Sequence, residues 1–317
     1  MTIERPRTGW PGQRTAFVGR QGELATLLQH LAAAGRGEGH LVLLAGEPGI
    51  GKTRLLHELA QRARAAGWQV LLGRADESEG MPPYLPFVEA LREHVRTAPL
   101  AALRAQLGDE AAEVALLLRE VRRRLPELPP SQPLRPEHER YRLLDSVAGF
   151  LLAIARSAAR RDATAAQAAS ESSGPLPAAG LLLGLDDLHW APAPSVLLLQ
   201  HLARRLDGTP LLVVGTYRSE AVGPGHPLAA MLLRLRREGI AEPLRLAALP
   251  LPETATLVAA LTGQAAAAPV VAAIHQRPPA TPSSSRRSCA NCGPRAATWA
   301  IPARWRAPGA YPRASGR

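Results

Sequence analysis

Gly46-Glu47-Pro48-Gly49-Ile50-Gly51-Lys52-Thr53 decides how the rest of this chain folds. The spacing G-x-x-x-x-G-K-T is that of a phosphate-binding loop. Lys52 is the single lysine of the 317-residue chain, and the other 37 long cations are arginine. A composition so biased toward arginine keeps lysine only where arginine does not serve. A compact ammonium on a flexible stem reaches between two phosphates, whereas a planar guanidinium fork is too wide. Gly46, Gly49 and Gly51 let backbone N–H groups turn inward around the β-phosphate. The helix that follows presents its positive N-terminus to the same anion. Lys52 is expected to bridge the β- and γ-phosphates of ATP, and the Thr53 hydroxyl to ligate Mg²⁺. The candidate nucleotide contacts here are Gly46, Glu47, Pro48, Gly49, Ile50, Gly51, Lys52, Thr53 and Arg54. The competing reading is a glycine-rich turn that binds nothing. The context argues against it: residues 41–45 are a short apolar strand, and a helix runs from about 52 to 66 and stops at Gly67.

Outward from the loop, strands and helices alternate. A helix is expected over 22–34, a strand over 69–73, and helices over 84–160 with a break near 126–136. Residues 162–180 (DATAAQAASESSGPLPAAG) are low in complexity and read as a flexible insert. Residues 181–185 form a third strand, 195–206 a helix, 211–215 a fourth strand, 228–239 a helix and 244–247 a fifth strand, with a further helix from 253. Such alternation predicts an α/β fold with a parallel sheet covered on both faces.

Leu181-Leu182-Leu183-Gly184-Leu185 delivers Asp186 and Asp187 to the edge where ligands of open α/β sheets sit. Asp186 is the candidate Mg²⁺ partner. Asp187 is the candidate catalytic acid that orients or activates the attacking water. Thr216 and Arg218, just past residues 211–214, are candidates to sense the γ-phosphate, with Lys52 and Arg218 acting beside Asp187 in catalysis. Taken singly, each pair is equally readable as a solvated turn or a surface arginine. Together they come from different strands in the order a nucleotide site needs.

Phe17-Val18-Gly19-Arg20, GEPGIGKTRLLHEL, LLLGLDDLHWA and LLVVGTYRSE together resemble the AAA-related ATPase module of STAND regulators. Such modules occur in large LuxR-type transcriptional regulators and beside adenylate/guanylate cyclase domains. The resemblance covers about residues 16–276. It implies a P-loop NTPase sheet of order 5-1-4-3-2, followed by the start of a helical lid over 249–276. It also implies that Val18, Gly19 and Arg20 lie near the adenine, that Asp186 and Asp187 form the Walker B pair, and that Arg218 is the sensor. Asp187 stands where many AAA ATPases have Glu. Its shorter reach implies slow hydrolysis, which suits a switch better than a motor.

Composition bounds the rest. The chain is 46% hydrophobic, enough for a core, yet only 4% aromatic, so Leu and Ala fill that core. No apolar run approaches the roughly 18 residues of a membrane span, and residues 1–15 read as a polar leader without a secretory signal. The expectation is a cytoplasmic protein with no membrane contact. The net charge is +11, but residues 277–317 hold eight arginines and no acid, leaving +3 for the body. The charge therefore gives no case for direct nucleic-acid binding by the body. Cys289 and Cys292 also lie in that tail, and one CxxC cannot supply four zinc ligands. By resemblance the lid should continue past Gln276 into a GNPFF segment and an acidic amphipathic helix. A shifted reading frame over residues 280–306 permits GNPFFVEEVVRQLRAEGRDLGDPGALA. Residues 277–317 are thus read as a disordered basic frameshift product.

Three functions follow. The leading one is an ATP/ADP-controlled signalling switch whose effector domain is absent from this chain, with self-association under nucleotide control left open. The second is a ring-forming remodelling or loader ATPase. The third is a truncated product without function.

Overall fold

The computed structural model describes residues 17–78, 80–131, 135–168, 179–262, 264 and 268–275. The leader, the second half of the low-complexity segment and the tail from 276, with its two cysteines, lie outside the described residues.

Five parallel strands carry the molecule. They are β1 (His40–Gly46), β2 (Gln69–Arg74), β3 (Leu181–Asp186), β4 (Leu211–Arg218) and β5 (Ala241–Arg245). Their order is β2-β3-β4-β1-β5, the 5-1-4-3-2 order expected, read from the other edge. Both faces of the sheet are covered, so successive residues of β1 over 41–45 and of β4 over 211–214 are apolar although they point to opposite sides. Leu41, Leu43, Leu211 and Val213 face one core; Val42, Leu44, Leu212 and Val214 face the other. The second core is closed by α1 (Gln21–Gly35) and α2 (Lys52–Ala65), through Leu24, Leu27, Leu31, Leu55 and Leu59.

The first core is larger. It is closed by α3 (Leu85–Thr97), α4 (Leu100–Leu107), α5 (Ala111–Leu117), α6 (Arg119–Arg124), α7 (Pro136–Ala168) and α8 (Ala193–Ala203). Then come α9 (Pro227–Arg237), which adds Leu228, Met231 and Leu235 to the same core, and α10 (Leu251–Thr262) and α11 (Ala268–His275) after β5. At Gly73 a Cβ would collide with the Pro86 carbonyl, so glycine is what lets α3 start directly on β2. Among the described residues, no helix is long and apolar enough to cross a membrane.

Several expectations need correction. The segment 84–160 breaks more often than its Pro126–Pro136 signal suggests, also at Ala98-Pro99, at Gly108 and at the extended Leu118. The expected insert at 162–180 does not begin at 162, because α7 continues to Ala168. Its DATAAQA sequence is rich in alanine, the strongest helix former. The fifth strand lies at 241–245, not 244–247, with Pro243 opposite Leu43. Proline disguises a strand, but β5 pairs only with β1, and an edge strand tolerates it. β4 continues through Thr216 and Arg218, so these residues lie in the strand and not beyond it. Of the basic run Arg119, Arg122, Arg123 and Arg124, the last is structural. Its guanidinium donates to the carbonyls of Val95, Arg96 and Ala98 and so caps the end of α3.

Candidate nucleotide site

The C-terminal ends of four strands meet at one edge. Register sets Gly46 of β1 opposite Arg218 of β4, and Arg74 of β2 opposite Asp186 of β3. β1 runs straight into the phosphate-loop sequence. Gly49 and Gly51 have φ of +75° and +103°, a region glycine enters without strain. Gly51 then sits at the N-cap of α2, and Lys52 opens the helix.

Lys52 Nζ donates to the carbonyl of Gly46 at 3.0 Å and of Glu47 at 2.7 Å. Burial lowers its pKa, while Asp187 acts in the opposite sense and Arg218 adds to the lowering. One turn of α2 thus places a partly desolvated cation over the loop.

Thr53 Oγ1 lies 3.0 Å from both oxygens of Asp186. The Thr216 hydroxyl donates to Asp186 Oδ1 at 2.6 Å and accepts from the Asp187 N–H at 2.9 Å. Asp186 is fully buried, and burial raises its carboxyl pKa against the pull of the Thr216 bond. A hydroxyl against a buried carboxylate is a donor pair suited to Mg²⁺, which usually completes its shell with phosphate oxygens and water. Thr53 and Asp186 therefore fit the ion. Among the described residues, no group of three or more His, Cys, Asp or Glu gathers to hold a metal without such help.

Asp187 has φ of +58°, a left-handed conformation that Asp tolerates better than most residues. Arg74 donates to Asp187 Oδ2 from Nε at 3.2 Å and from Nη2 at 2.9 Å.

A cavity of about 320 Å³ opens here. Its walls include Pro48, Gly49, Gly51, Lys52, Thr53 and Arg54 from loop and helix, and Asp187 and Arg218 from the strand ends. His57 and Arg74 also line it. Neither stands in the loop pattern or the acidic pair that mark the site in the sequence. Arg74 carried a signal, since it terminates an apolar strand beside the strand that ends in Asp186. His57 is one turn beyond Thr53 on the same face of α2, and burial lowers its pKa.

The other candidate contacts are not among the residues lining this cavity. Thr216, expected at the γ-phosphate, is fully buried between the two acids. Gly46 and Glu47 present carbonyls to Lys52, and Ile50 packs partly against the second core. Of Val18, Gly19 and Arg20, the last bonds the loop directly. Arg20 is buried, donating to the Ile50 carbonyl at 3.3 Å and to that of Ala247. A Cβ at Gly19 would meet the Glu253 carboxylate, so this segment is packed between the loop and the start of α10. The Arg54 guanidinium lies 6.0 Å over the Phe17 ring.

Uncharacterized protein R02095 of Rhizobium meliloti (strain 1021) is 28% identical over 217 residues, 67% of this chain but only 20% of the relative. The chain thus spans about a fifth of that protein's length. A Signal Transduction ATPase with Numerous Domains (STAND) protein with a tetratricopeptide repeat sensor, PH0952 from Pyrococcus horikoshii, aligns over 85% of this chain and 29% of its own. The TM-score is 0.38 and the identity 13%. A Drosophila ORC chain from a DNA-bound structure aligns over 72% of this chain and 93% of its own, with TM-score 0.34 and 12% identity. Residues 16–214, from the segment before Val18 through the first half of β4, match the AAA ATPase domain family. The chain belongs to the AAA ATPase domain family.

Proposed function

We propose that this chain is an ATP-binding, slowly hydrolysing switch module of a STAND-type bacterial regulator. One observation supports the reading: Lys52 bonds the loop carbonyls and Thr53 bonds Asp186 at the cavity, while Asp187 is engaged by Arg74. Turnover then waits on the release of Asp187 from Arg74, so binding precedes a slow chemical step. Mg²⁺, when bound, would supply charge neutralisation of the phosphates. Arg74 and Arg218 line the same cavity, so the terminal charge of ATP, absent from ADP, competes with Asp187 for Arg74. Arg20 bonds both the loop and the segment before α10, which supports a path from nucleotide to lid. ATP and ADP would then favour different arrangements of core and α10–α11, as a differential interaction must. An effector such as a helix-turn-helix or cyclase domain would read that bias.

Hydrolysis measured across protein concentration tests this reading. Slow turnover, independent of concentration, supports a switch. Rapid turnover that grows with assembly contradicts it and favours a ring-forming motor.

A further inference from the structure

His189 is buried, titratable and without a role in the site as described. Its side chain is 0% exposed, and neither ring nitrogen has a hydrogen-bond partner among the described residues. A buried donor without an acceptor is rare in a folded protein and calls for an explanation.

The backbone around it is tightly fixed. Residues 188–190 form a single 3₁₀ turn, closed by the Trp190 N–H on the Asp187 carbonyl at 2.9 Å. His226 bonds the His189 carbonyl through Nε2 at 3.0 Å, while its Nδ1 accepts from the Leu228 N–H. That acceptor role places the His226 proton on Nε2, so His226 is the donor to His189. The ring of His189 lies 5.0 Å from that of Trp190. Held this way, Nδ1 stands 3.9 Å from Asp187 Oδ1. Asp187 therefore has a cation on Oδ2 and an imidazole approaching Oδ1. Burial lowers the pKa of His189 to about 4, so the ring is neutral and has one N–H to give.

We propose that His189 is a positioning residue for Asp187, closing Nδ1–H onto Oδ1 when a bound triphosphate draws Arg74 away from Oδ2. The step rests on the ATP reading of the site. A carboxylate shift of about 1 Å brings the pair to ordinary N–H···O length. So held, Asp187 faces the attacking water. The water oxygen bonds the γ-phosphorus, the bond to the bridging oxygen breaks with its electrons on ADP, and the water's proton passes to Asp187 and then to solvent. His189 touches none of the reacting atoms.

The test uses the full chain. Asn offers an amide N–H where Nδ1 stands, Gln offers one where Nε2 stands, and Phe fills the space with neither. His189→Phe is expected to keep the melting temperature and Mg·ATP affinity while single-turnover hydrolysis falls about tenfold or more. His189→Asn should restore most of the rate, and His189→Gln should not. Wild-type rates in His189→Phe, or no rescue by Asn, overturn the proposal. A second readout needs no turnover and no variant. In ¹⁵N-histidine-labelled protein, a non-hydrolysable Mg·ATP analogue should shift the His189 Nδ1 resonance toward a hydrogen-bonded N–H. An unchanged Nδ1 signal at saturating analogue overturns the proposal alone. If wild-type protein shows no more response to Mg·ATP than Lys52→Ala, the ATP reading itself falls, and the proposal with it.

Discussion

Arg74 holds Asp187 by a single oxygen, with Nε at 3.2 Å and Nη2 at 2.9 Å from Oδ2. The two residues are 113 apart in sequence and meet because β2 and β3 pair in register at Arg74 and Asp186. The cation that restrains the candidate catalytic acid is thus also part of the cavity wall. Replacing it should change how the site distinguishes a triphosphate from a diphosphate.

Arg74→Ala is predicted to weaken Mg·ATP binding relative to ADP by roughly tenfold, the scale of one lost charge-assisted hydrogen bond. Isothermal titration with both nucleotides measures the ratio. An unchanged ATP/ADP ratio would show that Arg74 never leaves Asp187.

Thr216 tests the scaffold behind the acids. Its hydroxyl serves Asp186 and the Asp187 N–H together, and it is fully buried. Thr216→Val keeps the shape and removes both bonds, leaving a buried N–H unsatisfied. A loss of about 1–3 kcal/mol in unfolding free energy is expected. Urea unfolding without nucleotide checks it, and a loss near zero would place Thr216 outside the supporting network.

The pH dependence of stability carries a sign. His189 ionises at about 4 in the folded chain, against an ordinary value of 6.5. Burial is the main cause. Asp187 opposes it, and Arg218, Lys52 and His226 add to it. Between the two values the unfolded chain binds more protons, so stability is full above about pH 6.5 and falls toward pH 4. The span amounts to roughly 3 kcal/mol. His57, also lowered by burial, acts in the same sense, and Asp186, raised by burial, acts in the opposite one. Melting temperatures of wild type and His189→Phe between pH 7 and 4.5 should therefore diverge, with the variant losing less. Parallel curves would mean that His189 takes up its proton as readily in the folded chain as in the unfolded one.

What the sequence made legible and what it hid follow from how local each signal is. Lys52, Thr53, Asp186 and Asp187 stand in short runs whose strand–turn–helix context is itself local, so their placement at one sheet edge could be read directly. The strand order came with the family resemblance, and the pairing of β1 with both β4 and β5 agrees with it. Arg74 ends an apolar strand, but its contact with Asp187 depends on β2 pairing with β3, a long-range register that the residues around 74 do not encode. β5 was misplaced because Glu242 and Pro243 interrupt its apolar character, which an edge strand allows. Thr216 was read as facing a ligand because a polar residue near a strand end usually does so. In the structure β4 runs three residues further, to Arg218, and the hydroxyl lies between the two acids instead.

The most direct measurement is the melting temperature of the full chain with and without saturating Mg·ATP, beside Lys52→Ala. A competent site at 100-fold over its dissociation constant should add about 2.7 kcal/mol to stability. Wild type is predicted to show that gain, and Lys52→Ala to melt at its own unchanged temperature with nucleotide or without. Equal responses of the two proteins, whether both stabilised or neither, would contradict a nucleotide site built on Lys52.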